Sequence, residues 1–225
     1  MPTYREQNLG GWLDRLRAHA GDAEILLIDD SPPDIRTALR EAAAARAATV
    51  LDGPANGKGG AIRDGFRAAR GEVIVMIDAD SDEAALNHIP ELVAKAQNGS
   101  DVVIAERQGR HAQLKRFILS SGFRWVQRIF IFHSLRFRDT QCGLKAFRRD
   151  AALQLAARQS VFGGLFDVEY LYIAICRRMR IAQLPIDPWP ESRPSHLNLW
   201  QFLRTAPFDL LRVKMNGWRG RYSQP

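Results

Sequence analysis

Two short apolar runs, residues 25–28 and 73–77, each end abruptly in aspartate, with helix-forming stretches on either side of both. An apolar run without polar alternation is what a strand buried on both faces of a parallel sheet needs. Residues 48–51 and 102–105 read as two further strands. Between the strands, apolar residues recur at helical spacing. Leu9, Trp12, Leu13 and Leu16 define a helix over 7–20, and 34–48, 60–70 and 84–97 read as helices too. Strand and helix thus alternate through residues 1–106. Alternation demands crossover connections, which build an α/β fold: a Rossmann-type three-layer sandwich with a mostly parallel central sheet. Ligands bind such sheets at the carboxyl ends of strands. The pairs Asp29-Asp30 and Asp78-Asp80 stand there.

The strongest local signal is Asp78-Ala79-Asp80-Ser81-Asp82. Three carboxylates at alternate positions after a strand can converge on a hard cation, Mg²⁺ or Mn²⁺, whose other ligands come from phosphates and water. The competing reading is a helix start, with Asp80 as N-cap and Glu83 completing a capping box. Gly57-Lys58-Gly59-Gly60 precedes a helix, where glycine amides and a lysine suit phosphate. It is one residue too short for a P-loop and lacks the hydroxyl residue. A flexible loop with a solvated lysine is the bland alternative. At Asp29-Asp30 one carboxylate suits a base or ribose, unless the pair caps the next helix.

The second half differs in character. Residues 107–138 hold eight Lys or Arg and no acid, within a chain whose formal net charge is +7. On a helical wheel Arg116, Ser120, Arg124 and Arg128 share one arc, opposite Ile118, Leu119, Phe123 and Trp125. That pattern suits a helix lying in a lipid interface; a sheet-packed helix with a solvated basic face is the alternative. Residues 166–178 read as helical and 181–189 as extended. The tail, 199–225, mixes Trp200, Phe208, Leu211 and Trp218 with Arg204, Arg212, Lys214 and Arg219, and Pro207 is expected to break or start a helix. The two cysteines, Cys142 and Cys176, form neither a metal-ligand spacing nor a disulfide framework, which suits a reducing compartment. No signal-peptide pattern opens the chain. No apolar run approaches the roughly 20 residues that span a bilayer.

The order of motifs is more specific than any one of them. Pro2-Thr3-Tyr4-Arg5-Glu6 resembles the opening of the family 2 inverting glycosyltransferases of GT-A fold, with Arg5 replacing the usual asparagine. The Asp pair, the Gly-Lys-Gly loop and Asp-Ala-Asp follow in that family's order. The stretch from Asp139 to Phe147, and Phe166-Asp167-Val168-Glu169, look like the dolichyl-phosphate-glucose synthase subgroup, to which the dolichyl-phosphate-mannose synthases are related. The resemblance implies a single transferase domain. Residues 1–106 would bind a nucleotide-sugar donor, UDP-glucose ahead of GDP-mannose, and 107–198 a polyprenyl-phosphate acceptor. Pro2, Tyr4 and Glu6 would line the nucleotide pocket, Asp30 would contact the base and Lys58 would lie near the nucleotide. Asp78 and Asp80, with Asp82, would serve the metal and donor. Asp139 and Gln141 would close over the sugar. Arg107, with Lys115, Arg116 and Ser120, would meet the acceptor phosphate. The expected place is the cytoplasmic face of a membrane, bound peripherally, with no nucleic-acid partner. The family's first strand precedes the proline-tyrosine motif, so most of it is expected to be missing here.

Two rival readings are weighed against this one. A sugar nucleotidyltransferase needs a glycine-rich, arginine-bearing loop straight after its first strand, and residues 2–12 offer none. A non-catalytic binder of membrane or nucleic acid would need the basic residues alone and would survive loss of Asp78 and Asp80.

Overall fold

The computed structural model describes residues 1–6, 9–79, 81–108, 131–132, 137, 139–187 and 199–223. Among these residues the strands are β1 (Pro2–Thr3), β2 (Ile25–Asp29), β3 (Ala48–Asp52), β4 (Val73–Met76), β5 (Val102–Arg107), β6 (Lys145–Arg148) and β7 (Ile181–Ile186). The helices are α1 (Leu9–Ala20), α2 (Pro33–Ala44), α3 (Lys58–Ala68), α4 (Glu83–Leu86), α5 (Ile89–Gln97), α6 (Arg149–Arg158), α7 (Phe166–Cys176) and α8 (Leu199–Trp218).

Two sheets result. One is wholly parallel, ordered β1-β2-β3, and pairs Thr3 with Asp29 and Asp29 with Asp52. The other is mixed, ordered β4-β6-β5-β7. The parallel sheet expected from strand–helix alternation holds for the first sheet and for β5 beside β7. It fails in the middle of the second, where β6 runs antiparallel to both β4 and β5. Helices cover both faces. Along β5, Val102 and Ile104 enter one core with Phe66, Phe147 and Tyr170, while Val103 and Ala105 enter the other with Leu13, Leu86 and Leu92. That two-residue period places β5 in the middle layer of three.

Other expectations need correcting. The helix read over 84–97 is two helices, because Pro90 stands in the first turn of α5 and His88 at its N-cap. The cap of α4 is Asp82, whose side chain accepts from the Ala84 amide at 3.1 Å, rather than Asp80. Pro207 neither breaks nor starts α8, which runs through it. A proline forfeits one backbone bond, and the buried Ala206 and Leu210 on either side hold both halves against the core. Asp29 and Asp30 do not cap α2, whose N-cap is Pro32 with no side-chain bond. The extended stretch read to residue 189 is a strand only to Ile186. The interface helix read on the wheel from Arg116 to Arg128 lies outside the described residues, and beyond it Ile131 and Phe132 are buried.

Candidate active site

The strand register explains where the polar groups gather. β6 is antiparallel, so its first residue, Lys145, stands opposite Met76 at the end of β4 and Ile104 midway along β5. The loop entering β6, residues 139–144, therefore lies at the edge where β4 and β5 leave the sheet, with Leu144 accepting from the Ala105 amide at 3.1 Å.

Asp78 follows β4 by two residues. Its Oδ1 lies 2.7 Å from Lys58 Nζ. A Cβ on Gly143 would collide with its carboxylate, so glycine there lets the loop pass against Asp78. Lys58 reaches Asp78 from the first turn of α3. The glycines around it do other work than the sequence predicts. The Gly59 amide donates to Phe162 O at 2.8 Å, and the Gly60 and Ala61 amides turn back to Gly57 O. A Cβ on Gly59 would lie 2.6 Å from the Phe166 Cβ. These glycines seat α3 against residues 162–166, and the motif presents its lysine rather than its amides to the site.

Arg107 ends β5 and grips Asp139 with two nitrogens, Nε at 2.6 Å from Oδ2 and Nη2 at 3.3 Å from Oδ1. A two-pronged guanidinium–carboxylate contact fixes orientation as well as distance. The Gln141 amide donates to Asp139 Oδ1 at 3.2 Å, and its Nε2 to Gly164 O at 3.4 Å. Asp139 and Arg107 are thus brought together by β5 and the loop, as are Lys58 and Asp78 by α3 and β4.

Beneath the loop lies a buried ion pair that sequence reasoning missed. Lys145 Nζ donates to Asp167 Oδ1 and to Cys142 O, both at 2.6 Å. Their side chains are 3% and 7% exposed. Burial pushes the Asp167 carboxyl up; the positive charges of Lys145 and then Lys58 oppose this. Burial, then the Asp139 charge, raises the Cys142 thiol. Next to this pair Glu169 accepts from the Ser160 hydroxyl at 2.5 Å, the Val161 amide at 2.8 Å and the Tyr222 hydroxyl at 2.6 Å. A readable signal was present: Lys145, Asp167 and Glu169 are charges set among apolar neighbours, and such charges are buried only when paired.

At the other sheet, Asp30 Oδ1 accepts from the Ala55 amide at 2.8 Å, and a Cβ on Gly53 would strike the same oxygen. Asp30 so fastens the loop after β3. Asp29 is fully buried and accepts from Thr3 and Ser31 hydroxyls at 2.9 and 2.7 Å. Pro2 lies in β1, and Tyr4 is exposed with the Arg5 guanidinium 5.6 Å from its ring centre. Arg5 has φ 53, a left-handed conformation that asparagine adopts more readily than arginine. Glu6 is half-buried beyond it. Asp80, Lys115, Arg116 and Ser120 lie outside the described residues. Asp82 is turned to its capping role, leaving Asp78 as the described carboxylate of that motif at the site.

The described donor set suits a hard cation. Asp78 offers a carboxylate at a strand end, the donor type such an ion takes, with one oxygen against Lys58 and the other against the backbone of Gly143. Among the described residues no cluster of three metal-ligating side chains forms, and no helix is long and apolar enough to cross a membrane.

A family model described as glycosyl transferase family 2 matches residues 1–155. The dolichyl-phosphate beta-glucosyltransferase of Homo sapiens is 34% identical over 179 residues, 72% of this chain and 54% of that protein. That of Saccharomyces cerevisiae is 33% identical over 183 residues, covering 74% and 54%. One of Trichomonas vaginalis is 33% identical over 213 residues, covering 87% and 64%. The chain thus spans between half and two-thirds of the length of these curated relatives. Among solved structures, glucosyl-3-phosphoglycerate synthase from Mycobacterium tuberculosis in complex with UDP superposes with a TM-score of 0.71 at 19% identity, covering 95% of this chain and 78% of that one. Its complex with Mn²⁺, UDP-glucose and phosphoglyceric acid gives 0.68 at 18% identity, covering 100% and 78%. These likenesses bear out the GT-A-like α/β architecture.

Proposed function

The chain belongs to glycosyl transferase family 2, and from that premise we propose that it transfers glucose from UDP-glucose to a polyprenyl phosphate at a membrane surface. The observation that carries the reading is the loop 139–145. At the carboxyl ends of β4 and β5 it meets both the Arg107–Asp139 couple and the Asp78 carboxylate. The names of the curated relatives support glucose as the sugar and a dolichyl-type lipid phosphate as acceptor.

In this reading Asp78 and Asp80 hold Mg²⁺ or Mn²⁺, and the Mn²⁺ in the solved neighbour supports a divalent ion. When bound, the ion supplies positive charge to the departing diphosphate. In the same reading Lys58, beside Asp78, adds to that charge from α3. Asp30 contacts the base, in a pocket lined by Pro2, Tyr4 and Glu6, and Gln141 closes over the sugar. The acceptor phosphate is gathered by Arg107, Lys115, Arg116 and Ser120. One of its oxygens forms a bond to the anomeric carbon as the bond from that carbon to the UDP oxygen breaks, and UDP leaves with the electron pair. A phosphate monoester has a second pKa of about 6 and needs no strong base near neutral pH. Asp139, clamped by Arg107, accordingly positions rather than deprotonates. The basic residues of 107–138 and the tail hold the protein peripherally at the cytoplasmic face of the membrane, and no nucleic acid takes part.

The test is transfer of radiolabelled sugar from UDP-glucose, and separately from GDP-mannose, into a polyprenyl-phosphate fraction with Mg²⁺ or Mn²⁺ and then with chelator. Labelling from UDP-glucose that chelator and Asp80→Asn both abolish is expected. Near-normal turnover in Asp80→Asn would sink the metal assignment, and labelling from GDP-mannose alone would replace the sugar. Silence with both donors in a folded protein would point to another acceptor or to a binding role.

A further inference from the structure

Helix α8 is fastened to the body by one side. Ala206, Leu210 and Val213 are buried in the core, and Tyr222 beyond its end bonds to Glu169. Gly217 sits so close to α7 that a Cβ there would lie 2.5 Å from the Tyr172 ring. The other side carries Phe208, Leu211, Met215 and Trp218 at intervals of three, four and three residues, a single stripe on an α-helix. Phe208 is 73% exposed and Trp218 71%. Of the five large apolar side chains exposed among the described residues, three lie on this stripe, so the exposure is concentrated rather than scattered. Lys214 Nζ lies 5.7 Å from both the Tyr172 and Trp218 ring centres, which steadies the indole from the protein side.

The charges on this side have one sign. Arg204, Arg212, Arg219 and, past the helix end, Arg221 are exposed beside the stripe. Asp209 is half-buried beside Gly163, where the charge of Arg212 reaches it, and no acidic side chain lies on the stripe itself among the described residues. A groove of about 500 Å³ runs between the apolar and basic residues, lined among others by Phe208, Arg212 and Arg219.

We infer that this stripe of α8 docks the protein on an anionic bilayer. Phe208, Leu211, Met215 and Trp218 enter the interface while the four arginines meet lipid phosphates. The inference rests on the membrane placement proposed above and assigns it to a surface separate from residues 107–138. Charge decides against the other occupant that the spacing allows. A three-four repeat is also the seam of a helix pair. A two-fold pairing with a second copy would set arginine beside arginine with no acid to meet them, whereas anionic headgroups neutralise them. Tryptophan also favours the water–lipid boundary.

Sedimentation of the full chain with vesicles tests this, using phosphatidylcholine alone and with 30% phosphatidylglycerol (about that fraction suffices for a negative surface potential). Far-UV dichroism and melting confirm that each variant is folded. Wild type is expected to bind the anionic vesicles, and Phe208→Ser with Trp218→Ser to lower that binding more than about tenfold. Arg212→Gln with Arg219→Gln is expected to lower it about fivefold per arginine and to leave binding to neutral vesicles unchanged. Glucose transfer to a water-soluble short-chain polyprenyl phosphate stays unchanged in the Phe208/Trp218 variant. Equal binding by that variant and wild type overturns the α8 assignment while leaving the membrane placement standing. Wild type that ignores every vesicle overturns both, and a Phe208-dependent dimer without vesicle binding hands the face to a second copy. Phe208-dependent vesicle binding by a protein inactive in transfer supports the docking surface and refutes the enzymatic reading.

Discussion

Replacing Lys145 by methionine keeps a similar length and removes one charge from a site that water does not reach. Lys145 and Asp167 are 3% and 7% exposed, so neither partner can fall back on solvent. Breaking a buried pair from one side costs about 3–5 kcal/mol, because the other charge is left uncompensated. The Cys142 carbonyl also loses its donor, a deficit of about 1–3 kcal/mol that overlaps with the first. A combined loss of about 4 kcal/mol follows, and in a domain of this size each kcal/mol moves the midpoint by about 2–4 °C. Lys145→Met should therefore melt about 8–16 °C below wild type. Lys145→Met with Asp167→Leu removes both charges and should recover most of that fall. Thermal and urea unfolding of the two singles and the double give the coupling between the residues. A single variant within 2 °C of wild type (under about 1 kcal/mol), or a double whose loss equals the sum of the singles, would refute the claim that the pair acts as a buried unit. Transfer activity should fall further than stability, because Lys145 also holds the loop that presents Asp139.

Three further outcomes follow from the same geometry. Gly143→Ala drives a methyl group into the Asp78 carboxylate and should cut transfer at least about a hundredfold, on the scale that a 1 Å misplacement costs; steady-state rates with UDP-glucose check it. Arg107→Lys keeps the charge but loses the two-pronged hold on Asp139, so the same assay should show about a tenfold loss. Burial holds the Glu169 carboxyl above its ordinary value of 4.5, against the pull of its Ser160, Tyr222 and Val161 donors. A carboxyl raised in the fold favours the native state in its protonated form. That contribution is complete below the ordinary value and is lost as pH rises through the raised one. The melting temperature of wild type minus that of Glu169→Gln should therefore shrink from about pH 4 upward. A difference that widens with pH contradicts it.

What was legible in the chain was what depends on near neighbours. The runs that became β2 and β4 announced themselves by being wholly apolar, and the aspartates after them by standing where such strands end. Lys58 and Asp78 each drew notice, but nothing local said that they would meet, 20 residues apart. β6 escaped because Lys-Ala-Phe-Arg is short and half charged, and what makes it a strand is the pairing offered by β4 and β5. The bond from Tyr222 to Glu169 spans 53 residues, beyond any periodicity. The cap was read at Asp80 rather than Asp82 because three carboxylates at alternate positions offer the same capping oxygen, and only the start of the helix chooses among them. Pro207 was misread because the rule against proline in helices yields where core contacts hold both flanks.

The place of β6 also orders events during synthesis. β4 and β5 emerge early, yet neither pairs with the other, and the strand that joins them begins only at Lys145. A ribosome adding about 5–20 residues per second needs several seconds to go from the end of β5 to the end of β6. Through that interval two apolar strands present open hydrogen-bonding edges, the condition under which chains pair with the wrong partner. The parallel sheet β1-β2-β3 needs nothing beyond Asp52 and can form first, whereas in the second sheet β4 and β5 are joined only when β6 arrives, and the other edge of β5 waits for β7. A nascent chain stalled before Arg148 is thus the form of this protein most prone to aggregate and most in need of a chaperone.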